Sequence, residues 1–230
     1  MLKTAENSDI EKIQEFYKFV ADNTENMDKY GQWIYGQHPT NDMIEGFIQN
    51  KCMYFAEGDG MITASAAVTF YQNEDYHPVQ WNVDAKDDEV AVIHILCINP
   101  KKQGCGLAKT IMKEIIALAK TKRMKAVRLD ALCCNTPAHK LYEGLGFVRC
   151  GIQNWYASNT GYIDFYLYEL VLDQYTSWEA LIKSRLTAWH ASCLHIFRHI
   201  AQISLDGRQP TCAQFVQSDE KSAAQSAHQI

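Results

Sequence analysis

The segment HILCINPKKQGCGLAKTIMKEIIALAK, residues 94–120, limits what this chain can fold into more than any other. An apolar run stops at Pro100, and a short basic loop holding Gly104 and Gly106 follows. Leu107, Ile111, Ile115 and Leu118, joined by Met112, Ile116 and Ala119, then recur as the apolar stripe of a helix over 107–120. A strand end, a glycine loop and a helix N-terminus in succession make an anion site. Backbone N–H groups point into such a loop, and the helix dipole favours negative charge there. Gly104 and Gly106 can take positive φ and let a ligand approach the main chain. Lys101, Lys102 and Lys109 add positive charge, so the ligand this pattern selects is a phosphate or pyrophosphate.

The flanking sequence supplies the layers around that segment. Ile10, Ile13, Phe16, Tyr17 and Val20 mark a helix over 8–22, capped by Ser8 or Asp9. An irregular aromatic stretch follows, then a short helix from Thr40 or Asn41 to Ile48. CMYFAEG and MITASAAVTFY read as two strands about the turn EGDG. VAVIHILCI is a strand apolar enough to be buried on both faces. After the glycine loop come a helix, the strand MKAVRLDAL, and NTPAHKLYEGLGF. In that last block Asn135 is the helix N-cap and Gly144 or Gly146 the stop. GFVRCGIQNWY and YIDFYLYELVL close the order α, α, β, β, β, α, β, α, β, β. This is an α/β domain of mixed sheet and covering helices ending near Leu172. Residues 173–205 carry an amphipathic helical pattern through Trp178, Leu181, Trp189 and Phe197, and 206–230 are polar with the composition of a disordered tail.

Three phosphate cradles compete for the loop. The nucleotide P-loop needs G-x-x-x-x-G-K-[ST], but Gln103 and Ala108 stand where its two glycines would be. The dinucleotide fingerprint fits Gly104 and Gly106, and Asp130 is well spaced for a ribose carboxylate. Lys109 in the third glycine position counts against it. The third pattern, Q-x-x-G-x-A, is met by Gln103, Gly106 and Ala108. With NTPAHKLYEGLGF one helix and one strand further on, residues 1–172 resemble the GNAT superfamily of N-acetyltransferases. The resemblance implies a GNAT-type mixed, mostly antiparallel sheet flanked by helices, here with the helical extension behind it. It also implies acetyl-CoA as cosubstrate; separately, no clustered ligand spacing for a metal is present, so none is expected. Leu96, Cys97 and Ile98 would pair with the pantetheine arm where the central strand splays from its neighbour. Gln103, Gly104, Cys105, Gly106, Leu107, Ala108 and Lys109 would hold the pyrophosphate. Asn135 would meet the pantetheine, and Tyr142 would point at the thioester sulfur.

Acetyl transfer requires the amine to lose a proton and the leaving thiolate to be protonated or stabilised. Tyr142 suits the second task, since a phenol matches a thiolate in basicity. For the base, Glu89 at the start of the central strand and His94 within it are the candidates. By the two-residue strand period, His94, Leu96 and Ile98 share one face and Ala91, Ile93 and Ile95 the other. In the implied fold the acceptor enters beside Tyr30, Trp33, Tyr35, Trp155 and Tyr156, with Asp28, Glu57 and Asp164 as attractors of a cation. The resulting expectation is an N-acetyltransferase moving acetyl to a primary amine by direct attack in a ternary complex. The alternative is a non-catalytic acyl-CoA-binding module.

Bulk properties narrow the partners. A net charge of −5 is poor for general nucleic-acid binding. No stretch approaches a membrane span, and the N-terminus lacks an apolar signal core, so the expected compartment is cytoplasmic. The eight cysteines form no CxxC pair and read as reduced, buried thiols. His195 and His199, four apart, lack the HExxH setting of a zinc site. The apolar stripe of 177–203 would serve packing on the domain or a homodimer contact.

Overall fold

The computed structural model describes residues 1–172. The segments 173–205 and 206–230 therefore lie outside the described residues. Helix α1, Ile10–Asn23, buries Ile13, Phe16, Tyr17 and Val20, the i, i+3, i+4, i+7 set of one helix face. Helix α2, Asn41–Gln49, starts at Thr40, whose hydroxyl accepts the Met43 N–H at 3.1 Å. Its Ile44 and Ile48 join the α1 residues in one apolar cluster.

Seven strands form one sheet: β1 Lys3–Thr4, β2 Met53–Gly58, β3 Met61–Thr69, β4 Val90–Ile98, β5 Ala126–Leu132, β6 Val148–Ala157 and β7 Gly161–Val171. Their spatial order is β1-β2-β3-β4-β5-β7-β6. Only β4 and β5 run parallel; helix α3, Leu107–Thr121, makes the crossover between them. Helix α4, Thr136–Glu143, begins at Asn135, whose side chain accepts the Ala138 N–H at 3.3 Å. Ile111, Met112, Ile115 and Ala119 of α3 and Tyr142 of α4 pack on one sheet face, and α1 and α2 pack on the other. A third cluster, including Tyr76, Val79 and Leu167, lies beneath the segment 70–89. The expected element order thus holds, with β1 added. Two residues are too few to carry a period.

The central strand departs from regular alternation. Cys97 faces Ser65 and His94 faces Ala67 across the β3–β4 ladder, so Ile95 and Leu96 together oppose Ala66. This is a β-bulge, and Ile95 sits in it at φ +43°, a strained value for a β-branched residue. The extra residue resets the faces, which corrects the alternation expected from the sequence. Leu96 and Ile98 pack with Ala91 and Ile93 on the α3 side, Ile95 and Cys97 face α1 and α2, and His94 stacks on Phe47 of α2 at 5.5 Å. Parallel pairing with β5 covers only Val90–Ile93 against Ala126–Leu129. Beyond it β4 and β5 part while both strands continue.

The thiols of Cys52, Cys97, Cys105, Cys133, Cys134 and Cys150 are free, but only Cys97 is buried. Cys193 and Cys212 lie outside the described residues.

Candidate active site

The glycine loop is set up by the strand end before it. Asn99 is 4% exposed; its amide donates to the Ile62 carbonyl at 2.9 Å, and its oxygen accepts the Lys101 N–H at 3.0 Å. That fixes a single 3-10 turn, Pro100–Lys102, and aims the chain at α3. Gly104 and Gly106 then stand at φ +77° and +79°, and a Cβ built on either would meet nothing within 4 Å. Backbone conformation, with open space in front of it, is what demands glycine here. Gly104, Gly106 and the first turn of α3 line that space. Lys102 is held by Asp59 at 2.7 Å. Cys105 is exposed, its thiol donating to the Lys102 carbonyl at 2.9 Å, and it does not line the cavity.

From this loop a cavity of about 540 Å³ runs into the gap between β4 and β5. Leu96, Cys97 and Ile98 form one wall, and Gln103, Gly104, Gly106, Leu107, Ala108 and Lys109 form the end at the loop. Asn135 and Tyr142 of α4 and Asp130 of β5 form the opposite wall. The bulge that opens the gap has its own support. The buried Tyr17 of α1 donates its hydroxyl to the Ile95 carbonyl at 2.9 Å. That bond satisfies a main-chain acceptor whose ladder partner the bulge removed.

Segment 24–39 roofs the cavity with Tyr30, Trp33 and His38. Trp33 sits between Tyr17 and His38, with ring centroids 6.0 Å from each. Gln32 donates to the Cys134 sulfur at 3.4 Å, Asn159 donates to the Gln32 carbonyl at 2.5 Å, and Ser158 donates to the Gln37 carbonyl at 2.7 Å. The roof is thereby tied to both the β5–α4 turn and the β6–β7 hairpin.

Tyr142 is 8% exposed, its ring packed on Phe147 and Tyr168. Burial, then the nearby Asp130 carboxylate, then Tyr168 push its phenol well above the usual range, so it stays protonated. Asp130 is pushed up by burial; the Tyr76 hydroxyl donated to it at 2.6 Å, and then His38, oppose that shift. Burial in turn lowers His38, against the pull of Asp130. Three titratable groups from β5, α4 and the roof therefore meet at one end of the cavity.

The other expected site residues fall elsewhere. Glu89 pairs with Lys125 at 2.7 Å and accepts the Lys86 N–H at 2.8 Å, which hold it below its usual range at the far end of β4. His94 shares a hydrogen bond with the Thr69 hydroxyl at 3.2 Å, and burial lowers it to about 4. Neither lines the cavity. Tyr35 bonds Asn41 through its hydroxyl. Trp155 and Tyr156 are neighbours in β6 and must point to opposite faces, so they cannot wall one pocket together. Trp155 packs on Phe165 and Tyr76, whereas Tyr156 is 67% exposed beside Tyr162. Glu57 pairs with Lys3 and Lys12, Asp164 accepts from Asn154, and these two and Asp28 lie off the cavity. Asp130 and His38 are the facing groups that the sequence reading passed over. In the sequence Asp130 stands out only by its ribose-ligand spacing, and His38 lies in a stretch without a period.

Residues 8–147 match the Acetyltransferase (GNAT) family. The chain belongs to that family. Over 66 residues it is 33% identical to the N-acetylaspartate synthetase of Danio rerio, a match covering 29% of this chain and 23% of that relative. A GNAT-family acetyltransferase from Streptococcus agalactiae shares the fold at a TM-score of 0.59 and 19% identity, over 75% of this chain and 95% of that one. So does yncA of Salmonella typhimurium, solved with its cofactor acetyl-CoA, at a TM-score of 0.55 and 17% identity over 75% and 94%. The seven-stranded, mostly antiparallel sheet with flanking helices is the GNAT fold. Among the described residues no group of histidine, cysteine and carboxylate side chains could hold a metal, and no helix is long and apolar enough to cross a membrane.

Proposed function

We propose that the protein is an acetyl-CoA-dependent N-acetyltransferase in which a primary amine attacks the thioester directly, both substrates being bound together. The observation that carries this reading is the single cavity joining the glycine loop, the β4–β5 gap and the Asp130–Tyr142 end. Gln103–Lys109 hold the pyrophosphate, with the N–H groups as donors. Leu96, Cys97 and Ile98 offer main chain to the pantetheine arm, and Asn135 meets it from α4. The acetyl group then lies beside Tyr142.

The proton balance uses this chain's own groups. The amine nitrogen forms the new bond to the carbonyl carbon, and Asp130 takes the proton it sheds. A carboxylate pushed up by burial is a better base near neutral pH than an exposed one. As the carbon–sulfur bond breaks, Tyr142 gives its proton to the thiolate. The raised phenol keeps that proton available throughout the working range. Free thiols and the acidic surface suit a cytoplasmic protein.

Coenzyme A release is the test. Adding an amine acceptor should raise the rate of thiol release from acetyl-CoA. Tight acetyl-CoA binding with no amine-dependent release across acceptor classes would leave a binding module in place of an enzyme.

A further inference from the structure

The acceptor end of the cavity has a chemical bias of its own. Two carboxylates, Asp130 and Glu25, and the amide of Asn159 line the cavity beside the Tyr142 hydroxyl. The Asn159 oxygen is buried and has no hydrogen-bond partner among the described residues. Its orientation is set, because the amide nitrogen of the same group donates to the Gln32 carbonyl at 2.5 Å. An amide oxygen only accepts, so a ligand atom placed there must donate. The roof adds the aromatic rings of Tyr30 and Trp33, and the Lys29 ammonium already lies over the Tyr30 ring at 5.1 Å. Lys102 and Lys109 are the lysines lining the cavity among the described residues, and they stand on either side of the glycine loop. Burial disfavours the charged form of His38, against the pull of Asp130.

We infer that the acceptor is a primary amine with no carboxylate beside its reacting nitrogen and with a further N–H donor within reach of Asn159. The inference rests on the acetyltransferase reading and narrows it. Peptide N-termini and diamines both carry this chemistry. A free α-amino acid does not. Its carboxylate would be buried beside Asp130 and the Asn159 oxygen with no lysine or arginine of the lining to pair with, an unfavourable arrangement. The Danio rerio relative is named for an acidic product, and the acceptor end of this cavity is not built for one.

A matched pair of ligands isolates the carboxylates: aspartate, and its diamide with the same amine and both acids masked. Binding of each to the full chain with coenzyme A present should favour the diamide by at least about tenfold. Turnover measured as thiol release should follow the same order. A tripeptide amide and a short diamine, run alongside, tell the two sources of amine apart. Thr160 lines the cavity and donates only to the adjacent Gly161 carbonyl. Thr160→Lys adds a cation there and should narrow the diamide preference by at least about threefold. Aspartate bound as tightly as the diamide, or more tightly, overturns the inference even if the variant fails to fold. Thiol release with none of the amines would overturn the enzyme reading alone, since the order of binding still decides this one.

Discussion

Tyr142 and Asp130 act on each other along one wall of the cavity. A nearby carboxylate disfavours the phenolate, so the Asp130 charge helps keep Tyr142 protonated. Tyr142→Phe keeps the ring against Phe147 and Tyr168 and removes only the proton donor. Its kcat should fall by roughly 10²–10⁴ while KM for acetyl-CoA barely moves. Steady-state rates within about twofold of the parent would assign the proton to water or another group. Tyr76 gives a second reading at the same scale. Its hydroxyl donates to Asp130, and that favours the carboxylate form. Tyr76→Phe removes the bond and leaves His38, Asp75, Tyr142 and burial to set the titration. The Asp130 carboxyl should then rise further. A base works only when deprotonated, so the acid limb of the kcat/KM profile should move to higher pH, with activity lost on its low-pH side. An unmoved limb would mean that Asp130 is not the titrating base.

At the scale of elements, the cavity is the product of one inserted residue and one loop. The bulge turns Ile95 toward the α1 and α2 cluster and ends the pairing of β4 with β5, and Tyr17 holds the freed carbonyl. Tyr17→Phe should cost about 1–3 kcal/mol of stability by stranding that acceptor. It should also weaken acetyl-CoA binding; denaturant melts and calorimetry read the two effects, and unchanged affinity would mean the bulge holds itself. Gly106→Asp puts a side chain at φ +79° and a negative charge into the anion loop. Affinity for acetyl-CoA should fall by at least about tenfold, since the site works by backbone donors and positive potential. Binding at parental strength would remove the loop from the cofactor site. These two elements differ in how far the sequence discloses them. The loop was legible because glycine, proline and the helix stripe are local signals, and the same holds for α4 with its Asn135 cap. The bulge was not, because VAVIHILCI is apolar throughout and no pattern marks where one residue is inserted. His94 was therefore set on the wrong face. Tyr156 and Trp155 were assigned together by composition, although strand alternation alone separates them.

At the scale of the described domain, the segment 70–89, like 24–39, follows no period, yet it carries Tyr76 to Asp130. A buried ion pair fastens it. Arg128 of β5 and Glu169 of β7 are each 1% exposed, with Nε and Nη2 of Arg128 donating to one Glu169 oxygen at 2.9 and 2.8 Å. The remaining bonds reach into the segment: Arg128 to the Gln72 side chain at 2.5 Å and the Val83 carbonyl at 3.2 Å, and the Asn82 N–H to Glu169 at 2.7 Å. The guanidinium also lies over Trp81 at 4.2 Å, and Trp81 stacks on Tyr76 at 5.7 Å. A buried pair contributes little net stability against an apolar substitute, but removing one partner leaves a charge without compensation, at about 3–5 kcal/mol. Glu169→Gln should therefore lower Tm by roughly 6–20 °C. Amide exchange should quicken across 72–83, where the segment loses its anchor. Because the anchor and the hydrogen bond to Asp130 share the Trp81–Tyr76 stack, the acid limb of kcat/KM should shift to higher pH, in the direction set by Tyr76→Phe. A double variant, Arg128→Met with Glu169→Leu, should recover much of the Tm by removing both charges. It should not restore the limb, since nothing apolar replaces the bonds to Gln72, Val83 and Asn82. Recovery of both together would mean the segment is held by its apolar cluster, with the ion pair incidental to the site.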